Sequence, residues 1–68
     1  METDELAGRA GRVTAAIAAG GIGEVSVALG NQTRVYLAST ADGEELPLHA
    51  QVVIVRRLDG RHVLVTAY

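Results

Sequence analysis

The chain contains no cysteine, lysine, phenylalanine or tryptophan among its 68 residues. Without cysteine, it forms neither a disulfide nor a thiolate metal site. Without lysine, it offers no Schiff base, no P-loop lysine and no residue for attaching a lipoyl or biotinyl group. No run approaches the roughly 18 apolar residues of a membrane-spanning helix, and the acidic start lacks the basic region of a signal peptide. These absences exclude several classes of enzyme and indicate a soluble chain.

The scarcity of aromatic residues decides what kind of core is available. Tyr36 and Tyr68 are the only aromatic residues, so the core must consist of Val, Leu, Ile and Ala. Small apolar side chains in a single short domain suit a thin barrel better than a roomy pocket. The net charge of −2, with every side-chain cation an arginine, argues against a general binder of nucleic acid or anionic membranes.

The strongest local pattern lies in the C-terminal third of the chain. Two valine-rich runs, residues 52–55 and 63–65, flank Asp59 and Gly60. Asp-Gly between apolar runs predicts a β-hairpin with a type I′ turn, in which both central residues need φ > 0. We therefore expect a long hairpin formed by residues 51–58 and 61–66.

Three further strands are predicted upstream of this hairpin. Residues 12–19 and 24–29 alternate with period two, which is typical of half-buried strands. The alanine-rich first segment would also suit a helix, but Gly11 before it and Gly20 and Gly21 after it favour a strand. The expected inward residues are Val13, Ala15 and Ile17 in the first strand, and Val25, Val27 and Leu29 in the second. Residues 34–39 form the third strand after a turn at residues 30–31, and its four apolar central residues leave the inward face undecided.

The only proline, Pro47, interrupts residues 44–50 and excludes a central strand there. Leu46 and Leu48, on either side of it, are expected to close one end of a barrel. Five short strands with frequent turn signals and no convincing helix predict an all-β fold, a small five-stranded β-barrel. The barrel should span residues 11–68, and residues 1–10 should form a flexible N-terminal segment.

None of the sequence motifs predicts a catalytic, cofactor or metal site. Gly21 and Gly23 resemble part of a dinucleotide-binding motif, but they precede a strand and are better explained by a turn that needs positive φ. The conceivable metal ligands, Glu44, Glu45, His49 and His62, lack the spacing of a metal site. His62 should point outward, and no base is placed beside any serine or threonine.

Four arginines, Arg34, Arg56, Arg57 and Arg61, form the candidate partner-binding group, since three of them lie in one hairpin. The simpler interpretation, which the sequence favours, is a solubilising cluster that protects a strand edge. The functional interpretation is a docking patch for a partner, since arginine is enriched at interfaces. A single-stranded nucleic-acid binder is the alternative, but Tyr36 would have to provide the base stacking almost alone.

Several glycine and valine spacings, in this order, resemble the soluble C-terminal domain of NfeD-family proteins. They are Gly8-Arg-Ala-Gly-Arg-Val-Thr14, Gly21-Ile-Gly-Glu-Val25, Tyr36-Leu-Ala-Ser39 with Asp42-Gly43, then Leu46 and the valine-rich hairpin to Val65. The resemblance implies an OB-like barrel without an inserted helix. One departure is His49 or Ala50, at the place where the family usually has a glycine.

The resemblance also implies a function. Such domains follow transmembrane helices and act with a stomatin- or flotillin-type membrane protein, so we expect a non-enzymatic interaction module excised from a membrane-anchored protein. It would lie at the cell membrane on the cytoplasmic side, act in membrane organisation, need no cofactor and be a monomer or weak dimer. The serine protease domain of longer family members is not implied, because this chain has no lysine for its Ser–Lys pair.

Overall fold

A computed structural model describes residues 6–68 of the chain. Its five strands are β1 (Ala10–Ala15), β2 (Gly23–Leu29), β3 (Gln32–Thr40), β4 (Gln51–Arg57) and β5 (His62–Ala67). They close into a barrel in the order β1-β2-β3-β5-β4, with β3 and β5 parallel and all other pairs antiparallel. The predicted all-β, five-stranded, OB-like barrel is confirmed. Within residues 6–68, no helix has the length and hydrophobicity needed to cross a membrane.

The barrel interior is filled by alternating residues of every strand. Val25 and Val27 of β2 are fully buried, as are Val63 and Val65 of β5. In β3, whose four central residues are all apolar, Tyr36 and Ala38 point inward. The remaining core residues are Leu6, Val13, Ile17, Leu46, Val52 and Ile54. Each buried Val, Leu or Ile side chain contributes about 1.5–3 kcal/mol, so this small barrel depends on nearly all of them.

β1 is shorter than predicted, because its pairing register shifts. Val13 pairs with Val25, but Ala15 pairs with Glu24, so a bulge lies between Val13 and Ala15. The bulge turns Ala15 to the solvent, and the prediction that Ala15 points inward was wrong. Ile17 is nevertheless buried, because its N–H and C=O each form a 2.9 Å hydrogen bond with Leu46 beyond the strand.

The glycines of the connection from β1 to the start of β2 are needed for two different reasons. Gly20 has φ +68°, whereas Gly21 and Gly23 do not have positive φ, contrary to the prediction. At Gly23, an added Cβ would overlap the carbonyl oxygen of Ala15 and lie 2.6 Å from that of Ala16. Gly23 is therefore required by the close approach of the chain after β1 and not by its own backbone conformation.

The predicted hairpin of β4 and β5 is confirmed, but its turn is not of type I′. Neither Asp59 nor Gly60 has positive φ. The carboxylate of Asp59 instead accepts hydrogen bonds from the backbone N–H groups of Arg61 (2.8 Å) and His62 (3.0 Å). This Asx-type turn shapes the loop without left-handed residues. A second bulge, between Ile54 and Arg56, turns the end of β4.

The segment that contains Pro47 crosses the opposite end of the barrel. Leu46 is buried as predicted, but Leu48 is half exposed, so only one of the two leucines closes the barrel end. Residues 47–50 form a turn closed by a 3.2 Å hydrogen bond from the Ala50 N–H to the Pro47 carbonyl. His49, its third residue, has φ +75°, the conformation that a type II turn normally gives to glycine.

The expected flexible segment, residues 1–10, lies partly outside the described residues, and the expectation for residues 1–5 stays a prediction. Leu6 is only 1% exposed and belongs to the core. The N–H of Gly8 donates to the carbonyl of Ile54 at 2.7 Å, and the N–H of Ile54 donates to the carbonyl of Arg9 at 2.9 Å. From Leu6 onward, the chain is therefore packed along β4.

Candidate interaction surface

The topology places the four candidate arginines at one end of the barrel. Because β5 runs parallel to β3 and antiparallel to β4, the starts of β3 and β5 lie at the same end as the last residues of β4. This arginine end carries Arg34 on β3, Arg56 and Arg57 on β4, and Arg61 in the loop before β5. All four residues are exposed. That they bind a partner stays a prediction.

Acidic residues occupy the opposite end. Asp42, Glu44 and Glu45 are exposed in the loop between β3 and β4. This loop is held by hydrogen bonds from the Gly20 N–H to the Gly43 carbonyl (3.2 Å) and from the Thr40 hydroxyl to the Glu44 carbonyl (2.8 Å). Apart from Asp59 at the arginine end, the charges of residues 34–61 are thus separated between the two ends and produce a field along the barrel. Such a field orients an approaching charged partner toward one end.

Apolar side chains lie among the arginines. Leu58, in the β4–β5 loop, and Val55, at the β4 bulge, are both exposed. The loop is fixed by a 2.7 Å hydrogen bond from the Leu58 N–H to the His62 carbonyl and by the Asp59 carboxylate. Apolar groups between arginines have the composition of an interface centre. Because these hydrogen bonds already hold the loop that carries Leu58, little entropy would be lost when it binds.

The outer face of β3 adjoins the arginine end. Val35 is 57% exposed and Leu37 is 45% exposed, although both lie within a strand. Together with Glu24, Tyr36 and Arg61, they line an open depression of about 370 Å³. The N–H of Leu37 donates to the carbonyl of Arg61 at 2.8 Å, which joins the β4–β5 loop to β3. The sequence did not identify this surface, because a run of four apolar residues does not show which two face the solvent.

Ser39 and His62 form a pair that sequence reasoning missed. The Ser39 hydroxyl and His62 Nε2 lie 3.0 Å apart across β3 and β5, and both residues are half-buried. A hydrolytic pair also needs a group that orients the imidazole and donors for an oxyanion. The nearest acid in sequence, Asp59, is occupied by two backbone N–H groups. We interpret the pair as a cross-strand hydrogen bond, which only the parallel register of β3 and β5 could have revealed.

The conceivable metal ligands are distributed over the molecule. Glu44 and Glu45 lie at the acidic end, His49 lies in the turn before β4, and His62 lies on β5. Within the described part of the chain, residues 6–68, no three His, Cys, Asp or Glu side chains are grouped so as to hold a metal ion.

Comparisons with known proteins agree with this architecture. The family model of the NfeD C-terminal domain matches residues 10–66. The soluble domain of the NfeD protein YuaF from Bacillus subtilis is 28% identical, with a TM-score of 0.83, over 96% of this chain and 76% of that one.

The C-terminal domain of stomatin operon partner protein 1510-C from Pyrococcus horikoshii shares the fold. Its TM-score is 0.78 at 17% identity, over 100% of this chain and 97% of that one. A comparison with curated proteins found no match. Since the family model covers most of the barrel, the chain belongs to the family of NfeD C-terminal domains.

Proposed function

We propose that this domain is a non-enzymatic protein-interaction module whose arginine end docks onto a stomatin- or flotillin-type membrane scaffold. The observation that carries the proposal is the grouping of exposed arginines with two exposed apolar residues, Val55 at the β4 bulge and Leu58 in the hydrogen-bonded β4–β5 loop. Arginine combined with apolar anchors is the composition of binding hot spots. Docking through this end would leave the acidic end directed away from the scaffold.

The family supports the choice of partner. One structural neighbour is described as a stomatin operon partner protein, and the same type of partner is inferred here for this chain. We further infer that the domain is the soluble part of a membrane-anchored protein, that it lies on the cytoplasmic side and that it contributes to membrane organisation. As a monomer or weak dimer, it would keep its arginine end available.

The alternative function, single-stranded nucleic-acid binding, finds less support. Tyr36, the aromatic residue that this function required, is only 8% exposed and belongs to the core. Tyr68 is exposed, but its N–H donates to the carbonyl of Gln51 at the start of β4, at the end opposite the arginines. Base stacking and phosphate binding would therefore occur at opposite ends of the barrel, whereas nucleic-acid grooves combine them.

A capture experiment tests the proposal. The immobilised domain is incubated with the purified scaffold protein encoded beside its gene, and recovery is compared for wild type, Arg56→Glu, Arg61→Glu and Arg12→Glu. Arg12 is an exposed arginine on β1, paired with Ser26 of β2 and outside the arginine end. All three variants change the net charge equally, so Arg12→Glu controls for charge alone.

We expect Arg56→Glu and Arg61→Glu to lose most of the captured scaffold, while Arg12→Glu retains it. Truncating or reversing a central interface charge typically costs 2 kcal/mol or more, which is about 30-fold in affinity. If wild type recovers no scaffold, or if all three variants recover equal amounts, the proposal is refuted. Fluorescence anisotropy with a labelled oligonucleotide at low salt tests the alternative in parallel: binding at micromolar concentration would favour it.

A further inference from the structure

The two edges of β3 are unequally paired. β2 pairs with Gln32 through Ala38 along one edge, whereas β5 pairs only with Leu37 through Thr40 along the other. Among residues 6–68, no strand pairs with the second edge over residues 32–36. The first half of β3 is therefore an open strand edge within an otherwise closed barrel.

The hydrogen bonds of β3 show which backbone groups face this open edge. On the side of β5, the Leu37 N–H donates to the Arg61 carbonyl (2.8 Å), and the Ala41 N–H donates to the Val65 carbonyl (2.9 Å). Odd-numbered residues thus direct their N–H and C=O groups away from β2. Since these directions alternate along a strand, the N–H and C=O groups of Thr33 and Val35 point to the open edge.

An open edge of this kind is a template for strand addition. Exposed strand edges pair readily with other chains unless they are covered or interrupted. The edge of Thr33 and Val35 contains no proline, and the exposed Val35 adds an apolar surface beside it. Peptide recognition by strand addition uses such main-chain groups for affinity and the alternating side chains for specificity.

The charge of Arg34 decides which kind of strand fits. In the symmetric antiparallel pairing of two copies that uses both open residues, Thr33 pairs with Val35 of the other copy and Arg34 lies opposite Arg34. Directly opposed like charges destabilise a strand pair. A second copy is thus disfavoured, whereas a segment with an acidic residue opposite Arg34 is favoured.

We propose that the open edge of β3 binds an extended segment of a partner protein, in which acidic and apolar residues alternate. The acidic residues would face Arg34, and the apolar residues would extend the surface of Val35 and Leu37, since Arg34 and Val35 lie on opposite faces of the strand. The inference rests on the proposed function, because it specifies the surface and the chemistry by which the interaction module takes its partner.

The test uses a synthetic peptide of alternating glutamate and valine as the probe. Its controls are an alternating lysine–valine peptide and a peptide with three glutamates followed by three valines. We expect the glutamate–valine peptide to slow the hydrogen exchange of the Thr33 and Val35 amides about tenfold at roughly ten times Kd. Equal protection by the lysine–valine peptide, or protection that omits both amides, would overturn the proposal.

Variants separate main-chain pairing from side-chain contact. Val35→Pro removes one open-edge N–H, which an edge strand tolerates, and should abolish peptide binding, whereas Val35→Ala keeps this N–H and should retain it. Arg34→Glu should lower the affinity for the glutamate–valine peptide about fivefold and raise the affinity for the lysine–valine peptide by a similar factor. If Val35→Pro fails to fold, Arg34→Glu still tests whether the edge binds the acidic peptide. If Arg34→Glu prefers the glutamate–valine peptide as strongly as wild type does, the proposal is refuted.

The scaffold capture distinguishes failure of this inference from failure of the proposed function. If the scaffold binds wild type and Arg34→Glu equally well, the open edge is not the docking site, although the interaction module stands. If the scaffold binds neither, the proposed partner is wrong, and the peptide measurements still decide whether the edge accepts a strand.

Discussion

His49 is the one described non-glycine residue with positive φ, and its replacement by glycine should stabilise the barrel. Its φ of +75° is almost the same as that of Gly43, +74°. An added Cβ at Gly43 would meet nothing within 4 Å, so Gly43→Ala introduces the same conformational penalty without a clash. The two substitutions are therefore opposite changes at nearly identical φ.

The magnitude follows from two opposing terms. A left-handed conformation costs an L-residue about 1–2 kcal/mol relative to glycine. Glycine, in turn, loses more entropy on folding, by about 0.5–1 kcal/mol. His49→Gly should thus gain about 0.5–1 kcal/mol, and Gly43→Ala should lose about as much. In a domain of this size, 1 kcal/mol corresponds to a Tm change of about 4–8 °C.

Urea unfolding, followed by the fluorescence of the buried Tyr36, measures both changes. The midpoints should move in opposite directions at a constant m-value. His49→Ala is the control, because it removes the imidazole and keeps the Cβ, and it should remain within about 0.5 kcal/mol of wild type. If His49→Gly destabilises the barrel, or if His49→Ala stabilises it equally, the backbone conformation is not the cause.

Three further predictions concern the packing of the barrel. Gly23→Ala should lower the free energy of unfolding by more than about 2 kcal/mol, because the added Cβ would meet backbone oxygens. Gly60→Ala is the control: Gly60 has open space and no positive φ, so this variant should be neutral or stabilising when the urea midpoints are compared. Leu6→Ala should cost about 2–5 kcal/mol by thermal unfolding, and a loss below about 1 kcal/mol would remove Leu6 from the core. Asp59→Ala leaves two backbone N–H groups without their acceptor and should cost about 1 kcal/mol; unchanged stability would contradict that role.

The strands with one buried face could be predicted from the sequence, and the irregular positions could not. In β2, Val25 and Val27 alternate with Glu24 and Ser26, so the pattern predicts both the strand and its inward face. In β5, Val63 and Val65 lie between the outward His62 and Thr66, which indicate the inward face although Leu64 is apolar. In β1, Ala15 follows the same alternation but lies after a bulge. Because alanine is tolerated in the core and at the surface alike, its position carries no signal for a bulge.

The turns show a similar division. Asp59 and Gly60 correctly predicted where the hairpin reverses, but the side chain of Asp59 provided an alternative to the type I′ conformation. The left-handed turn at His49 was not predicted, because positive φ is uncommon for every non-glycine residue, even though histidine is enriched among the exceptions. Its left-handed conformation is maintained by the surroundings, including the 2.9 Å hydrogen bond from the His49 N–H to the Val13 carbonyl.

The candidate surface depended on pairing between distant strands. Arg56, Arg57 and Arg61 are close in sequence, so their common location could be predicted from the hairpin alone. Arg34 joins their end of the barrel only because β3 and β5 are parallel, which no local pattern indicates. The exposure of Val35 depends instead on which face of β3 points into the barrel, since Leu37 on the same outer face is 45% exposed although it pairs with His62 of β5.

The open edge follows from unequal strand lengths in a closed barrel. β3 has nine residues and β5 has six, and only four residues of β3 pair with β5. A barrel in which β5 paired with the whole of β3 would have no unpaired backbone along this edge. Solubility favours short strands and polar edges. Residues 32–36 of β3, which β5 leaves unpaired and which include the exposed Val35, are therefore a local departure from what the fold requires. Such departures are where function is expected in a protein whose interior is filled with small apolar side chains.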